Sequence, residues 1–136
     1  MKPKFMLDTN ICIYLMKHQP PEVAARFAEY FVGEVVISAI TLAELEFGVT
    51  SSNAAAEQNR QALDGFLEEI VVADFDRPAA RAYGPVRLAT RERKRDALDK
   101  LIAAHALALD ATLVTNNEAD FAAYPGLRVE NWVANH

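Results

Sequence analysis

Four short apolar runs, "KFML", "EVVISA", "IVVA" and "ATLVT", recur along the chain, with segments of helical spacing between them. None alternates polar with apolar residues, so each predicts a short strand buried on both faces. Such strands need cover on two sides, and helical connections make them parallel. The first connection holds a helix over 11–17 capped by Thr9 or Asn10, ended by "HQPP" because prolines cannot continue it. A second helix over 22–31 carries Val23, Phe27 and Phe31 at one-turn spacing. Thr41 caps a third, with Leu42, Leu45 and Val49 on one face, and Asn53 caps a fourth reaching about residue 69, with Leu63, Phe66 and Leu67 inward. Asp76 caps "RPAARAYGPVRLATRER", with Pro78 in the first turn, and "LDKLIAAHALAL" is a further helix. After the turn "YPG", "LRVENW" supplies a fifth strand. The expectation is one α/β domain over residues 1–136: a five-stranded, mostly parallel sheet with helices on both faces.

Bulk properties narrow the function. At 136 residues, half of them hydrophobic and about a quarter charged, the chain can bury a proper core and is not disordered. Its net charge of −5 does not advertise nucleic-acid binding, so any basic surface must be local. Cys12 is the single cysteine and lies in an apolar run, where a thiol acts as a small hydrophobe; no zinc-type Cys/His spacing occurs. Lys2 and Lys4 precede no long apolar region, and no run is long enough to span a bilayer. A cytoplasmic protein without membrane association is the expectation.

The stretch "FMLDTN" breaks an apolar strand with an acid, a hydroxyl and an amide. One reading of Asp8 is a turn or helix cap. The other is a ligand position at the carboxyl end of a central strand, where open α/β sheets bind their ligands. Three further acids bear on the choice. Glu44 lies in the first turns after the second strand, Asp99 begins the helix leading into the fourth, and Asp120 follows the fourth within "TNNEADF". If strands one and four are neighbours, all four carboxylates gather on one edge of the sheet. That is unfavourable without a cation, because like charges raise each other's pKa. Several carboxylate oxygens suit Mg²⁺ or Mn²⁺, and phosphodiester hydrolysis is the chemistry such a site performs best.

"FMLDTNICIYLMK", "ISAITLAELEFGV", "LDKLIAAHALALDATLVTNN" and "DFAAYPGLRVENW" together resemble successive blocks of VapC-type toxins, the PIN-domain ribonucleases of VapBC toxin–antitoxin pairs. The resemblance runs through essentially the whole chain. It implies a five-stranded parallel sheet, a Mg²⁺-dependent endoribonuclease in which Mn²⁺ can substitute, a homodimer and a VapB-type antitoxin. The RNA it implies is tRNA, including initiator tRNA cut in the anticodon loop. Asp8 and Asp99 correspond to direct metal ligands, and Glu44 and Asp120 to acids acting through water. Thr9, Asn10, Thr115, Asn116 and Asn117 would line the phosphate path as neutral donors.

One block departs from the family. A Gly- and Pro-containing loop often precedes the third acid; here "RLATRERKRDALD" stands there. Asp96 lies one turn before Asp99, so a shifted register would promote it instead; the apolar block after Asp99 favours Asp99. Arg91, Arg93, Lys94 and Arg95 put a basic run beside the acids, expected to hold the RNA backbone through counter-ion release. Its bland reading is a solvated helix face or an antitoxin-docking surface. His105, inside "LIAAHALAL", reads as a core histidine before a general base, and Phe27, Phe31, Phe66 and Trp132 as core or dimer-interface residues. Two rival functions remain. A haloacid-dehalogenase-type phosphatase would want a second Asp where Asn10 stands, and Asp74 and Asp76 fit a receiver's phosphoacceptor position poorly. A non-catalytic PIN-like RNA-binding module should have lost one or more of the four acids, and none is missing.

Overall fold

The computed structural model describes residues 2–133. The strands are β1 (Phe5–Leu7), β2 (Val35–Ser38), β3 (Val71–Ala73), β4 (Thr112–Val114) and β5 (Val129–Glu130). They form a five-stranded sheet in the order β3-β2-β1-β4-β5, and every pairing is parallel. The helices are α1 (Thr9–Lys17), α2 (Pro21–Phe27), α3 (Ala39–Thr50), α4 (Ala56–Leu67), α5 (Arg77–Ala89), α6 (Ala97–Leu109) and the short α7 (Glu118–Phe121).

Strand side chains alternate between the two faces, and both faces are buried. Leu7, Val35, Ile37 and Val114 join Ile11, Leu15, Val23, Leu45, Leu63 and Phe66 in one core, beneath α1 to α4. Met6, Val36 and Leu113 join Val86, Ile102, Ala103 and Phe121 in the other, beneath α5 to α7. The apolar character of both strand faces therefore has a direct cause: each serves a different core. After β1 the chain builds outward through β2 to β3, then crosses back to lay β4 on β1's other side. The order reverses between β1 and β4, and a crevice opens there at the strands' carboxyl ends.

Several boundaries differ from the expectation. Helix α2 stops at Phe27, and Phe31, read as its last inward residue, is 75% exposed. Ser38, not Thr41, caps α3: its Oγ accepts from the Ile40 N–H at 3.0 Å, which starts the helix three residues earlier and buries Thr41 inside it. Asn53, with φ 55°, opens a single 3₁₀ turn ahead of α4. Helix α5 ends at Ala89, where the Thr90 hydroxyl turns back to donate to the Val86 carbonyl at 2.7 Å, leaving "RER" in the loop. β3 is an edge strand, so its Val71 is partly exposed.

Candidate functional site

Leu7 and Val114 are register partners, so Asp8 and Thr115 are the first residues beyond the sheet on the two strands that flank the reversal. Asp8 is buried there and holds two positions at once. Its Oδ1 accepts the Ile11 N–H at 3.0 Å, capping α1 in place of Thr9 or Asn10, while its Oδ2 accepts the Thr115 hydroxyl. The cap reading and the strand-end reading of "FMLDTN" therefore describe the same residue. Burial pushes the Asp8 carboxyl above its usual range; Thr115 and the Ile11 N–H oppose that, and the negative Glu44 adds to it.

The other acids arrive from three helices. Glu44 on α3 accepts the Thr9 hydroxyl at 2.8 Å. Asp120 lies on the short α7 that follows β4 and accepts from the Asn117 side-chain amide at 2.5 Å. Asp99 is half-buried in the first turn of α6. Its carboxyl is pushed up to about 6, first by burial and then by Glu44, Asp120, Asp8 and Asp96. Every leading charge acting on Asp99 is thus another acid, the electrostatic signature of a site short of positive charge.

Among the described residues, no three His, Cys, Asp or Glu side chains are arranged as ligands of one ion as they stand. Three of the four acids already accept hydrogen bonds from neighbouring hydroxyls or amides; Asp99 is the acid whose surroundings are dominated by repulsion. The donor set is carboxylate oxygen flanked by hydroxyls and amides, which fits a hard ion such as Mg²⁺ or Mn²⁺ and not a soft one.

The neutral donors divide. Thr9 and Thr115 serve the carboxylates, and Thr115 Oγ1 also accepts the Asn117 N–H at 2.9 Å. Asn10 is exposed at the start of α1. The Asn116 side chain is engaged with the Tyr14 hydroxyl at 3.3 Å and the Asn131 amide at 3.2 Å. Arg91, Lys94 and Arg95 are exposed, and Lys94 and Arg95 border the hollow that holds Asp99 and Asp120.

Arg93 departs from its basic neighbours. It is half-buried, donates to the Asp120 carbonyl at 2.8 Å, pairs with Asp96 at 3.3 Å and lies over the Tyr124 ring at 5.2 Å. Asp96, the alternative third acid, is buried and paired with positive charge. It accepts the Tyr124 hydroxyl at 2.6 Å and pairs with the buried Lys100 at 3.1 Å. Burial works to raise its pKa, but Tyr124, Lys100 and Arg93 together hold it below the usual carboxylate value.

Sequence reasoning missed Tyr124 and the pairing of Lys100 with Asp96. The i,i+4 spacing of those two was the available signal. His105 is buried, with Nδ1 2.8 Å from the Ser38 hydroxyl and its ring edge-on to Phe75, so it joins α6 to the start of α3 as a packing histidine.

The PIN-domain family profile matches residues 5–127. The chain is 41% identical over 131 residues to the tRNA(fMet)-specific endonuclease VapC of Shigella flexneri, a match covering 95% of this chain and 98% of that protein. It is 39% identical to Ribonuclease VapC2 of Rickettsia felis, over 94% and 97% of the two chains. The fold matches the crystal structure of DNA-bound VapBC from Salmonella typhimurium with a TM-score of 0.88 at 38% identity, covering 96% of this chain and 99% of that one.

Proposed function

Because the chain belongs to the PIN-domain family of VapC-type ribonuclease toxins, we propose that it is a Mg²⁺-dependent endoribonuclease whose site is the edge formed by Asp8, Glu44, Asp99 and Asp120. What supports this reading most is the raised pKa of Asp99, set among three other acids at the point where the strand order reverses. A fold gains nothing by gathering such charges unless a cation joins them.

When bound, a divalent ion would acidify a water and offset the charge that builds on the scissile phosphate. Asp8 and Asp99 would hold it directly, and Glu44 and Asp120 through water. Thr115 and the α1 N-terminus fix the Asp8 carboxylate in one orientation, so it need not reorganise during the reaction. Thr9 does the same for Glu44, and Asn117 for Asp120. Asn10 and Asn116 lie along the phosphate path, and Arg91, Lys94 and Arg95 hold the flanking RNA backbone.

The substrate is tRNA, including initiator tRNA, as the name of the Shigella flexneri relative suggests. The partner is a VapB-type antitoxin, in keeping with the solved VapBC complexes. One PIN domain over residues 1–136 forms a homodimer, for which the exposed Phe31, Val32 and Phe47 provide apolar surface. No described helix is long and apolar enough to cross a membrane.

The test is cleavage of purified tRNA with Mg²⁺ or with a chelator. The wild type is expected to cut only with the ion, and Asp8→Asn not at all. Equal cutting by both proteins, or cutting that ignores the chelator, would overturn the reading. Light scattering of the pure chain checks the dimer, and a monomer at high concentration counts against it.

A further inference from the structure

The end of the α5–α6 loop and the first turn of α6 carry two buried charges, Asp96 and Lys100, that the proposed chemistry does not use. Asp96 and Lys100 are each 6% exposed, and burying an ion pair rarely stabilises a fold over apolar packing. Their surroundings explain their presence. Lys100 donates to the Arg93 carbonyl at 2.8 Å while pairing with Asp96, so it fixes the loop's backbone and its carboxylate together. Asp96 Oδ2 in turn takes both the Arg93 guanidinium and the Tyr124 hydroxyl, while Lys100 faces Oδ1. Arg93, stacked over Tyr124, then reaches across to the Asp120 carbonyl. The cluster thus bridges the N-terminus of α6, which carries Asp99, to α7, which carries Asp120.

We propose that Arg93, locked by the buried Asp96–Lys100–Tyr124 cluster, is a positioning residue that holds Asp99 and Asp120 at a fixed spacing and so sets the affinity of the acid edge for its divalent ion. The proposal rests on the metal-site reading above and removes Arg93 from the RNA-gripping run. Two of its guanidinium nitrogens are already committed within the protein, to Asp120 and to Asp96. A planar fork, whose separate nitrogens reach the two acceptors, suits that double contact better than the single nitrogen of a lysine ammonium.

The test is calorimetric titration of the purified full chain with Mn²⁺, for wild type, Arg93→Met, Arg93→Lys and Asp99→Asn, together with kcat and KM for RNA cleavage. Arg93→Met is expected to weaken Mn²⁺ binding by about tenfold, the lower end of the effect of removing a group that orients a ligand. It should lower kcat at limiting metal and leave KM for RNA unchanged, and Arg93→Lys should restore little. Unchanged Mn²⁺ affinity overturns the proposal, whether KM rises, as a phosphate grip requires, or nothing changes. Should Arg93→Met fold poorly, Asp96→Asn/Lys100→Met removes both buried charges and frees Arg93. The same loss of Mn²⁺ affinity is expected there, and wild-type affinity overturns the proposal. Asp99→Asn separates the two levels. If it binds Mn²⁺ like the wild type, the metal-site reading fails and the proposal with it; if it alone loses binding, only the proposal fails.

Discussion

Asp96 and Asp99 stand one turn apart at the start of α6, and their surroundings differ completely. Asp96 is enclosed by Lys100, Arg93 and a tyrosine hydroxyl, and stays ionised below the usual range. Asp99 is half-buried, its leading electrostatic neighbours are acids, and its carboxyl is pushed up to about 6. The compensated acid is a structural joint. The other lies on an edge where the charges that act on it most are acids. Burial works to raise both carboxyls; at Asp96 the Tyr124 hydroxyl, Lys100 and Arg93 overcome it, whereas at Asp99 the charges that follow burial are all acids and add to it.

Substituting the two acids should break the comparison in opposite ways. Asp99→Asn should reduce RNA cleavage by about 100-fold or more, at least the upper end of the cost of disturbing a group around a metal ligand. It should hold or slightly raise the melting temperature, because a repelled charge is removed; single-turnover cleavage and a thermal melt check both. Asp96→Asn should instead act chiefly on stability, with a smaller loss of metal affinity as Arg93 loses a partner. It leaves Lys100 buried without its partner, and breaking a buried pair costs about 3–5 kcal/mol, measurable by urea denaturation. An active, destabilised Asp99→Asn beside an inactive, stable Asp96→Asn would reverse the assignment.

How far the sequence could be read follows the same division. Strands apolar on both faces leave a strong pattern, so the parallel sheet was readable, as were acids interrupting apolar segments; the pairing of β1 with β4 was only assumed, and the strand order bears it out. Asp96, Lys100 and Arg93 were not, because three charged residues in a basic run look solvated. Only the return of Tyr124 from the far end of α7 closes over them, from 28 positions further along the chain. Local boundaries failed for a related reason. Ser38 and Thr41 are both good caps, and the strand's length decided between them.

A smaller effect is expected with pH. The native pKa of Asp99 is raised, so between the ordinary carboxylate value, about 4, and about 6 the folded chain binds a proton that the unfolded chain has lost. Without divalent ions, the contribution of Asp99 to stability should therefore be greatest at the acidic end of that window and be lost as the pH rises through about 6, against the opposite trend from groups with lowered pKa such as His105. The raised Asp8 carboxyl acts in the same direction as Asp99. Denaturation midpoints across this range, with and without Mg²⁺, check it: the ion should flatten or reverse the slope, and Asp99→Asn should weaken it.

The least dramatic change is expected from the exposed basic residues. Neutralising Arg91, Lys94 and Arg95 together should flatten the salt dependence of RNA binding by about one log–log unit for each phosphate no longer neutralised. It should raise KM and leave kcat nearly unchanged, because only uniform binding is removed. Superimposable cleavage curves across salt concentrations would remove these side chains from the RNA path.

The central claim is that Asp99 is held short of positive charge until a divalent ion supplies it, and carboxyl-carbon NMR of the Asp99 side chain tests it most directly. Titrated without divalent ions, the Asp99 resonance should report a pKa near 6, and saturating Mg²⁺ should move it into the ordinary carboxylate range or below, with Asp96 unmoved. An Asp99 that titrates in the ordinary range without Mg²⁺, or at the same raised value with it, would contradict the account.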